Sequence, residues 1–144
     1  MSGQSVTIRK TLPASCEEVF DAWLDAEGMR HWMCPGPVTS CDVALEPRVG
    51  GHFRFIMTIP GAQIVSSGEF RVLERPAKLQ FTWISSRWDD EETLVTVELH
   101  RREAECELVL THERLPLTHS TSQLTTGLTQ ILEKLGKYLR DATD

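Results

Sequence analysis

His112 is the polar residue of this chain with the best placement for chemistry. It continues the alternation of Leu108 and Leu110 along a predicted strand, so its imidazole should point to the same side as these apolar side chains. An inward imidazole could orient a bound ligand or act as a general base near neutral pH. The alternative is a hydrogen-bonded histidine near a strand end with no chemical role. His31, beside Trp32, is a second candidate with the same two interpretations.

Three residues, His31, Cys34 and Cys41, could in principle bind a metal ion. Their spacing matches no recurrent zinc pattern and no fourth ligand is evident, so we predict neither a metal nor a cofactor. No Cys-x-x-Cys pair is present, and Cys16, Cys34, Cys41 and Cys106 are predicted to be reduced, packed thiols. The sequence also lacks a nucleophile elbow, a phosphate loop, a zinc-protease motif and a dinucleotide fingerprint. These absences argue against an enzyme without excluding one, and we assign no catalytic residue.

Large apolar side chains alternate along two predicted strands and could form the walls of a site for an apolar molecule. They are Phe53, Phe55 and Met57 on one strand and Phe81 and Trp83 on the other. Trp32, which lies outside these strands, is added to the set. Core packing is the alternative for each of them, because aromatic residues at alternating positions usually belong to a hydrophobic core.

The composition limits the classes of protein that the chain can belong to. With 144 residues and 40% hydrophobic content, residues 1–144 are expected to form a single domain with its own core. A formal net charge of -6 argues against a nucleic-acid partner, since phosphate binding needs a basic surface. The first ten residues lack the pattern of a signal peptide, and no apolar run could span a membrane. We therefore expect a cytoplasmic protein without membrane insertion.

Seven segments show the alternation of strands. They are residues 6–12, 38–46, 52–59, 63–73, 78–84, 93–101 and 105–113. The connections between the last six are too short for a parallel crossover, so the predicted sheet is an antiparallel meander. Helices and strands are segregated along the sequence, which indicates an α+β domain.

Helical patterns occur after the first strand and at the end of the chain. Ser15 with Glu18 forms a capping box that opens one short helix, and Asp25 is predicted to cap a second. A long helix is predicted over residues 120–144, beginning with a capping box of Ser120 and Gln123. Its apolar residues recur at helical spacing and are all expected to be buried: Leu124, Leu128, Ile131, Leu132, Leu135, Tyr138 and Leu139.

This order of elements resembles the START-like helix-grip fold of the SRPBCC superfamily. Within it, the sequence resembles the activator of heat-shock protein 90 ATPase homologue-like family over almost its full length. The motifs that carry the resemblance are residues 13–15, 19–23, Trp32, 49–55, 68–70, 76–83, 108–113 and 128–139. The resemblance implies a seven-stranded curved sheet wrapped on the C-terminal helix. Family members commonly carry Gly-Trp in that helix, whereas this chain has Gly127-Leu128, a smaller pair that could enlarge a cavity.

The resemblance also implies a cavity for an apolar ligand between the sheet and the C-terminal helix. The predicted lining includes His112 and four helix residues, Leu124, Gly127, Leu128 and Ile131. The remaining lining residues are the large apolar ones given above: Trp32, Phe53, Phe55, Met57, Phe81 and Trp83. Binding of a small hydrophobic ligand, such as a lipid, is therefore the first expectation. The alternatives are a co-chaperone that activates a heat-shock protein 90 ATPase and an enzyme of the polyketide cyclase or hydrolase kind. Relatives with this fold are often homodimers, so a second copy of the chain is a further candidate partner.

Overall fold

The computed structural model of the protein describes residues 4–33, 40–86, 91–115 and 121–142. Its elements, in chain order, are β1 (Gln4–Leu12), α1 (Cys16–Ala22), α2 (Ala26–Trp32), β2 (Ser40–Leu45), β3 (His52–Ile59), β4 (Ala62–Glu74), β5 (Lys78–Ser85), β6 (Glu92–Arg102), β7 (Glu105–Leu115) and α3 (Thr121–Ala142). Within these residues, seven strands form one antiparallel sheet in the order β1-β7-β6-β5-β4-β3-β2. This arrangement of a curved sheet and a C-terminal helix is the helix-grip fold, as predicted.

The predicted strands are confirmed, with small differences at their ends. β3 has the predicted bounds, while β4 begins at Ala62 and β7 continues to Leu115, two residues beyond its predicted end. The predicted start of β2 at residue 38 and the capping box of Ser120 and Gln123 lie outside what the structure describes. Among the described helices, none is both long enough and apolar enough to cross a membrane.

The two short helices begin differently. At α1 the capping box is confirmed, because Ser15 Oγ accepts from the Glu18 backbone N–H at 3.1 Å and Glu18 Oε1 accepts from the Ser15 backbone N–H at 3.2 Å. Asp25 is at the N-cap position of α2, but its side chain makes no capping hydrogen bond. The prediction that the Asp25 carboxylate caps α2 is therefore wrong.

The sheet bends where β4 passes between β3 and β5. Gly68 lies opposite Phe53, and the register of β4 with β5 shifts between Phe70 and Val72. A Cβ atom at Gly68 would overlap the Thr82 carbonyl oxygen and lie 2.6 Å from the Phe53 ring. Only glycine permits this close approach of two strands and a ring.

Thr82 is buried at this bend, although it alternates with Phe81 and Trp83 along β5 and so lies out of phase with these aromatic residues. It is only 3% exposed, and its Oγ1 accepts a hydrogen bond from the Glu69 backbone N–H at 2.8 Å. At the bend the Thr82 hydroxyl thus satisfies a backbone donor of β4, and this hydrogen bond allows the polar side chain of Thr82 to be buried.

The C-terminal half of α3 is the part that belongs to the core. Ile131, Leu132, Leu135 and Leu139 are buried, whereas Leu124, Leu128 and Tyr138 are only partly buried, so the expectation that all seven are buried is wrong. The helix packs mainly against β1 and α2. The apolar stripe of α3 is therefore most fully buried in the last three turns of the helix.

Candidate functional site

A small apolar cavity lies between the aromatic side chains of the bent sheet and the α1–α2 region. Its lining consists of Trp23, Met29, Met33, Leu45, Phe53, Phe55, Phe70, Phe81 and Trp83. Its volume is about 10 Å³, which is room for about one water molecule. None of these nine described residues is charged, so the site is suited to apolar molecules.

Phe53 is the centre of the aromatic wall. Its ring centroid lies 5.3 Å from that of Phe55, 5.4 Å from those of Phe70 and Phe81, and 5.8 Å from that of Trp83. The Phe53 and Phe81 rings meet edge to face, at 87°. These distances and angles are those of favourable aromatic pairs. The wall forms because β3, β4 and β5 are neighbours in the sheet. Their inward-facing residues are aligned by the strand pairing, so the aromatic rings meet at the bend.

The helices supply the opposite wall. Trp23 is the C-cap residue of α1, while Met29 lies within α2 and Met33 is its C-cap residue. All three are at most 4% exposed. Methionine side chains are unbranched and adopt several conformations at low cost, so this wall is more adaptable than the aromatic one.

Two buried indole groups lie at the helix side of the cavity. The rings of Trp23 and Trp32 meet edge to face at 5.0 Å, and Trp32 is fully buried. Neither indole Nε1–H has a hydrogen-bond partner within the part of the chain that the structure describes. An unsatisfied buried donor is unfavourable, and Trp23 lines the cavity. A hydrogen-bond acceptor beside Trp23 would therefore be favoured.

Leu45 and Trp83 differ from the other lining residues because they are only partly buried. They mark the side on which the cavity is nearest to solvent.

His112 points inward, as predicted, and is 2% exposed. Its Nε2 lies 2.7 Å from Thr93 Oγ1, and the Thr93 hydroxyl donates to the Trp83 carbonyl oxygen at 2.8 Å. Since a hydroxyl has a single proton, Thr93 accepts from His112, so Nε2 carries the imidazole proton. Burial lowers the pKa of His112 to about 4, and the ring is neutral near pH 7. Thr93 is the partner that sequence reasoning missed, because it lies on the adjacent strand.

The cavity contains some of the predicted site residues and not others. It brings together Phe53, Phe55, Phe81 and Trp83. The predicted residues that do not line it are Trp32, Met57, His112, Leu124, Gly127, Leu128 and Ile131. Of these, Trp32, Met57, His112 and Ile131 are buried elsewhere in the core or beside it, and a Cβ atom at Gly127 would meet no described atom within 4 Å.

Five lining residues were not predicted: Trp23, Met29, Met33, Leu45 and Phe70. Trp23 and Met29 could have been found, because they lie on the apolar sides of the two predicted short helices. Phe70 could have been found because it lies two residues after Gly68 and therefore faces the same, inward side of β4. Leu45 and Met33 lie at the ends of their elements, where periodicity carries little information.

The other residues considered for chemistry are His31, Cys34 and Cys41. His31 is exposed and its ring stacks on Tyr138, with centroids 6.1 Å apart. Cys41 is buried, and Cys34 lies outside the described residues. Within the described ranges, no three His, Cys, Asp or Glu side chains form a group that could hold a metal ion.

A larger, solvent-open depression of about 620 Å³ lies on the outer face of the sheet. Its lining mixes the carboxylates of Glu46, Glu69 and Glu92 with Arg54 and His52. Glu46 accepts from the His52 backbone N–H at 3.1 Å, which is the main reason that its pKa is lowered. The charged side chains distinguish this depression from the apolar cavity, with which it shares Leu45 and Phe53.

Several solved structures share this fold. A protein from Rhodobacter sphaeroides is 24% identical, with a TM-score of 0.83, and the match covers 97% of this chain and 95% of that one. A protein from Nitrosomonas europaea is 18% identical with a TM-score of 0.83, covering 96% of each chain. A protein from Chromobacterium violaceum is 19% identical with a TM-score of 0.82, covering 93% of this chain and 96% of that one. At these identities the similarity shows the fold alone.

No protein with a curated function matches the sequence. A protein-family model does match it, over residues 13–140, and its description is Activator of Hsp90 ATPase homolog 1-like protein. The match begins directly after β1, includes α1, α2 and strands β2 to β7, and continues through α3 almost to its end. Because it covers far more than half of the sequence, the chain belongs to this family, whose members have the START-like helix-grip fold.

Proposed function

We propose that the protein binds a small, mainly apolar molecule in the aromatic cavity between the bent sheet and the α1–α2 region. The observation that carries this proposal is the uncharged lining, in which aromatic rings from β3, β4 and β5 face two methionines and a tryptophan. Pockets for small molecules are typically lined in this way, with a few polar groups that fix the orientation of the ligand. Membership of the family is compatible with a ligand-binding role.

Binding requires the cavity to open. Its volume of about 10 Å³ is far below that of a pocket for a small molecule, which is roughly 300–1,000 Å³. Met29 and Met33 are the residues best able to give way, because an unbranched thioether side chain can change rotamer without displacing the backbone. The ligand would thus stabilise an open form of the site at the expense of the closed one.

The lining also limits the chemistry of the ligand. No described lining residue could neutralise a charge, and burying an unpaired charge is very unfavourable. The indole N–H of Trp23 offers one hydrogen-bond donor. We infer that the ligand is uncharged, is flat enough to lie against aromatic rings, and carries an oxygen or nitrogen acceptor.

The first test is native mass spectrometry of the freshly purified protein, followed by denaturation and identification of any released molecule. A stoichiometric uncharged, aromatic or aliphatic passenger would support the proposal and identify the chemical class. A passenger with several charges would contradict it.

The second test distinguishes the cavity at α2 from the region beneath Gly127 and Leu128 of α3. Met33→Trp adds volume at the cavity, and Leu128→Trp adds the same side chain at a position that does not line it. Acetylnaphthalene, titrated against each variant by calorimetry, should bind the wild-type protein and Leu128→Trp with similar affinity and bind Met33→Trp at least tenfold more weakly. The reverse order would place the ligand beneath α3 and overturn the proposed location. Thermal unfolding of both variants shows that each is folded before titration.

A second candidate function comes from the description of the family, which names activation of an Hsp90 ATPase. It is tested by adding the purified protein to a heat-shock protein 90 and measuring ATP hydrolysis. Stimulation that persists in Met33→Trp would identify a function independent of the cavity, whereas no stimulation at saturating protein would remove this candidate. A cyclase-like or hydrolase-like activity is less well supported, because His112 is buried, has a pKa of about 4 and does not line the cavity.

A further inference from the structure

Two cysteines that are far apart in the sequence meet in the core. Cys16 is the first residue of α1 and Cys106 is the second residue of β7. Their Sγ atoms are 2.7 Å apart, although the residues are separated by 90 positions. Non-bonded heavy atoms such as two carbons have their optimum at about 3.5–4.0 Å, whereas the sulfur atoms of a disulfide are about 2.0 Å apart. The two thiols are thus closer to bonding distance than to an ordinary packing distance.

The surroundings of the two thiols are different. Cys106 is completely buried and Cys16 is 7% exposed. Burial raises the pKa of the Cys106 thiol, and the hydrogen bond with Cys16 raises it further. Cys106 is therefore the shielded thiol, and Cys16, the more exposed of the two, is the one that an oxidant from solvent reaches first.

We propose that Cys16 and Cys106 form a reversible disulfide when the protein meets a peroxide, and that this is a specific modification site which joins α1 to β7. The elements need not move far, because α1 already packs against β6 and β7. The proposal is independent of the ligand-binding function, since neither cysteine lines the aromatic cavity.

The chemistry takes two balanced steps with hydrogen peroxide as the oxidant. First, the Cys16 thiolate attacks one peroxide oxygen; an S–O bond forms, the O–O bond breaks, and the leaving hydroxide takes up a proton to become water. Then Cys106 Sγ attacks the sulfenic sulfur of Cys16; the S–S bond forms, the S–O bond breaks, and the Cys106 proton leaves with the hydroxide as a second water. Two thiols are thus oxidised by two electrons in total, and one peroxide is reduced to two waters.

The test uses the full chain, treated with hydrogen peroxide and compared with a sample kept in dithiothreitol. We expect the thiol count measured after denaturation to fall from four to two. Proteolytic mapping without reduction should find a single cross-linked pair of peptides, containing Cys16 and Cys106. Because the bond closes a loop of about 90 residues, the melting temperature should rise by on the order of 10 °C and return to its original value after reduction.

Single-cysteine variants make the assignment specific. Cys16→Ser and Cys106→Ala should each abolish the cross-link and the rise in melting temperature, while Cys41→Ala, which removes another buried thiol, should retain both. A cross-link that includes Cys34 or Cys41 in the wild-type protein would overturn the proposal. So would peroxide treatment that leaves all four thiols free, or that converts them to sulfinic acids without a cross-link. Peptide mapping of the wild-type chain decides these outcomes even if a variant fails to fold.

Discussion

The Thr93 hydroxyl fixes the tautomer of His112. It lies 2.7 Å from Nε2 of the imidazole and donates its proton to the Trp83 carbonyl oxygen, so it can only accept from the ring. Both side chains are at most 2% exposed. Because burial disfavours the charged ring, His112 is neutral in the packed core, and its protonation is coupled to the stability of the fold.

This coupling predicts a specific loss of stability in mild acid. The pKa of His112 is about 4 in the folded protein and about 6.5 in the unfolded chain. The unfolded state therefore binds more protons between these values, and stability falls as the pH is lowered from about 6.5 to 4. The full difference corresponds to about 3 kcal/mol. Urea unfolding curves recorded at several pH values across this range measure it.

His112→Leu should remove this pH dependence, because the variant has no imidazole to protonate. His100→Gln serves as the control, since His100 is an exposed residue of the neighbouring strand β6. It should keep the wild-type profile. If His112→Leu loses as much stability between about pH 6.5 and 4 as the wild-type protein does, the slope has another origin.

A second prediction concerns the hydroxyl of Thr93. Thr93→Val has nearly the same shape but leaves the Trp83 carbonyl and the His112 N–H without this partner. Each buried polar group left unsatisfied costs about 1–3 kcal/mol, so we expect a loss of about 2–4 kcal/mol in the free energy of unfolding. Thr93→Ser keeps the hydroxyl and should lose only about 1 kcal/mol, the contribution of one methyl group. Equal losses of unfolding free energy in the two variants would show that the Thr93 hydroxyl does not contribute to stability.

A third prediction tests the bend in the sheet. Gly68→Ala places a Cβ atom against the Thr82 carbonyl oxygen and 2.6 Å from the Phe53 ring, and neither neighbour can move without disturbing β3 or β5. We expect a loss of stability of roughly 3 kcal/mol, the upper end of the usual range for overpacking. Thermal or urea unfolding measures it.

Gly136→Ala is the matched control for Gly68→Ala. A Cβ atom there would lie 3.5 Å from Leu12 Cδ2 and 3.7 Å from Lys10 Cε, which are ordinary contacts. Because alanine favours a helix interior by about 1 kcal/mol over glycine, this variant should be more stable than the wild-type protein. A loss in both variants would mean that glycine is required for a reason other than the close approach at the bend.

Most of the fold could be predicted because its signals are local. Alternation along β3, the capping box of Ser15 and Glu18, and the apolar stripe of α3 each depend on residues that are neighbours in the sequence. The partial exposure of Leu124 and Leu128 could not be predicted in this way. It depends on which elements the helix meets along its length, and α3 meets mainly β1 and α2.

The site was harder to predict because it depends on contacts between distant segments. Phe53 and Phe81 were identified from the alternation along their strands. The helix side of the cavity is formed by Trp23 and Met29, and only the folded chain places these two residues opposite the aromatic rings. The approach of Cys16 to Cys106 is of the same kind, since no spacing pattern in the sequence relates residues 90 positions apart. Sequence periodicity tells which side of an element a residue occupies and not which residue it meets.

The last prediction concerns the indole of Trp23 and depends on the proposed ligand site. Acetylnaphthalene and isopropylnaphthalene have similar shapes, but only the first carries a carbonyl acceptor. If the Trp23 N–H, which has no partner among the described residues, donates to the ligand, the wild-type protein should prefer acetylnaphthalene by about 0.5–1.5 kcal/mol, or roughly two- to twelvefold. Trp23→Phe should abolish this preference, and Trp32→Phe, which changes a buried indole outside the cavity lining, should retain it. Calorimetric titration of both compounds against the three proteins measures all six affinities. Equal binding of the two compounds by the wild-type protein would show that Trp23 contributes only apolar surface.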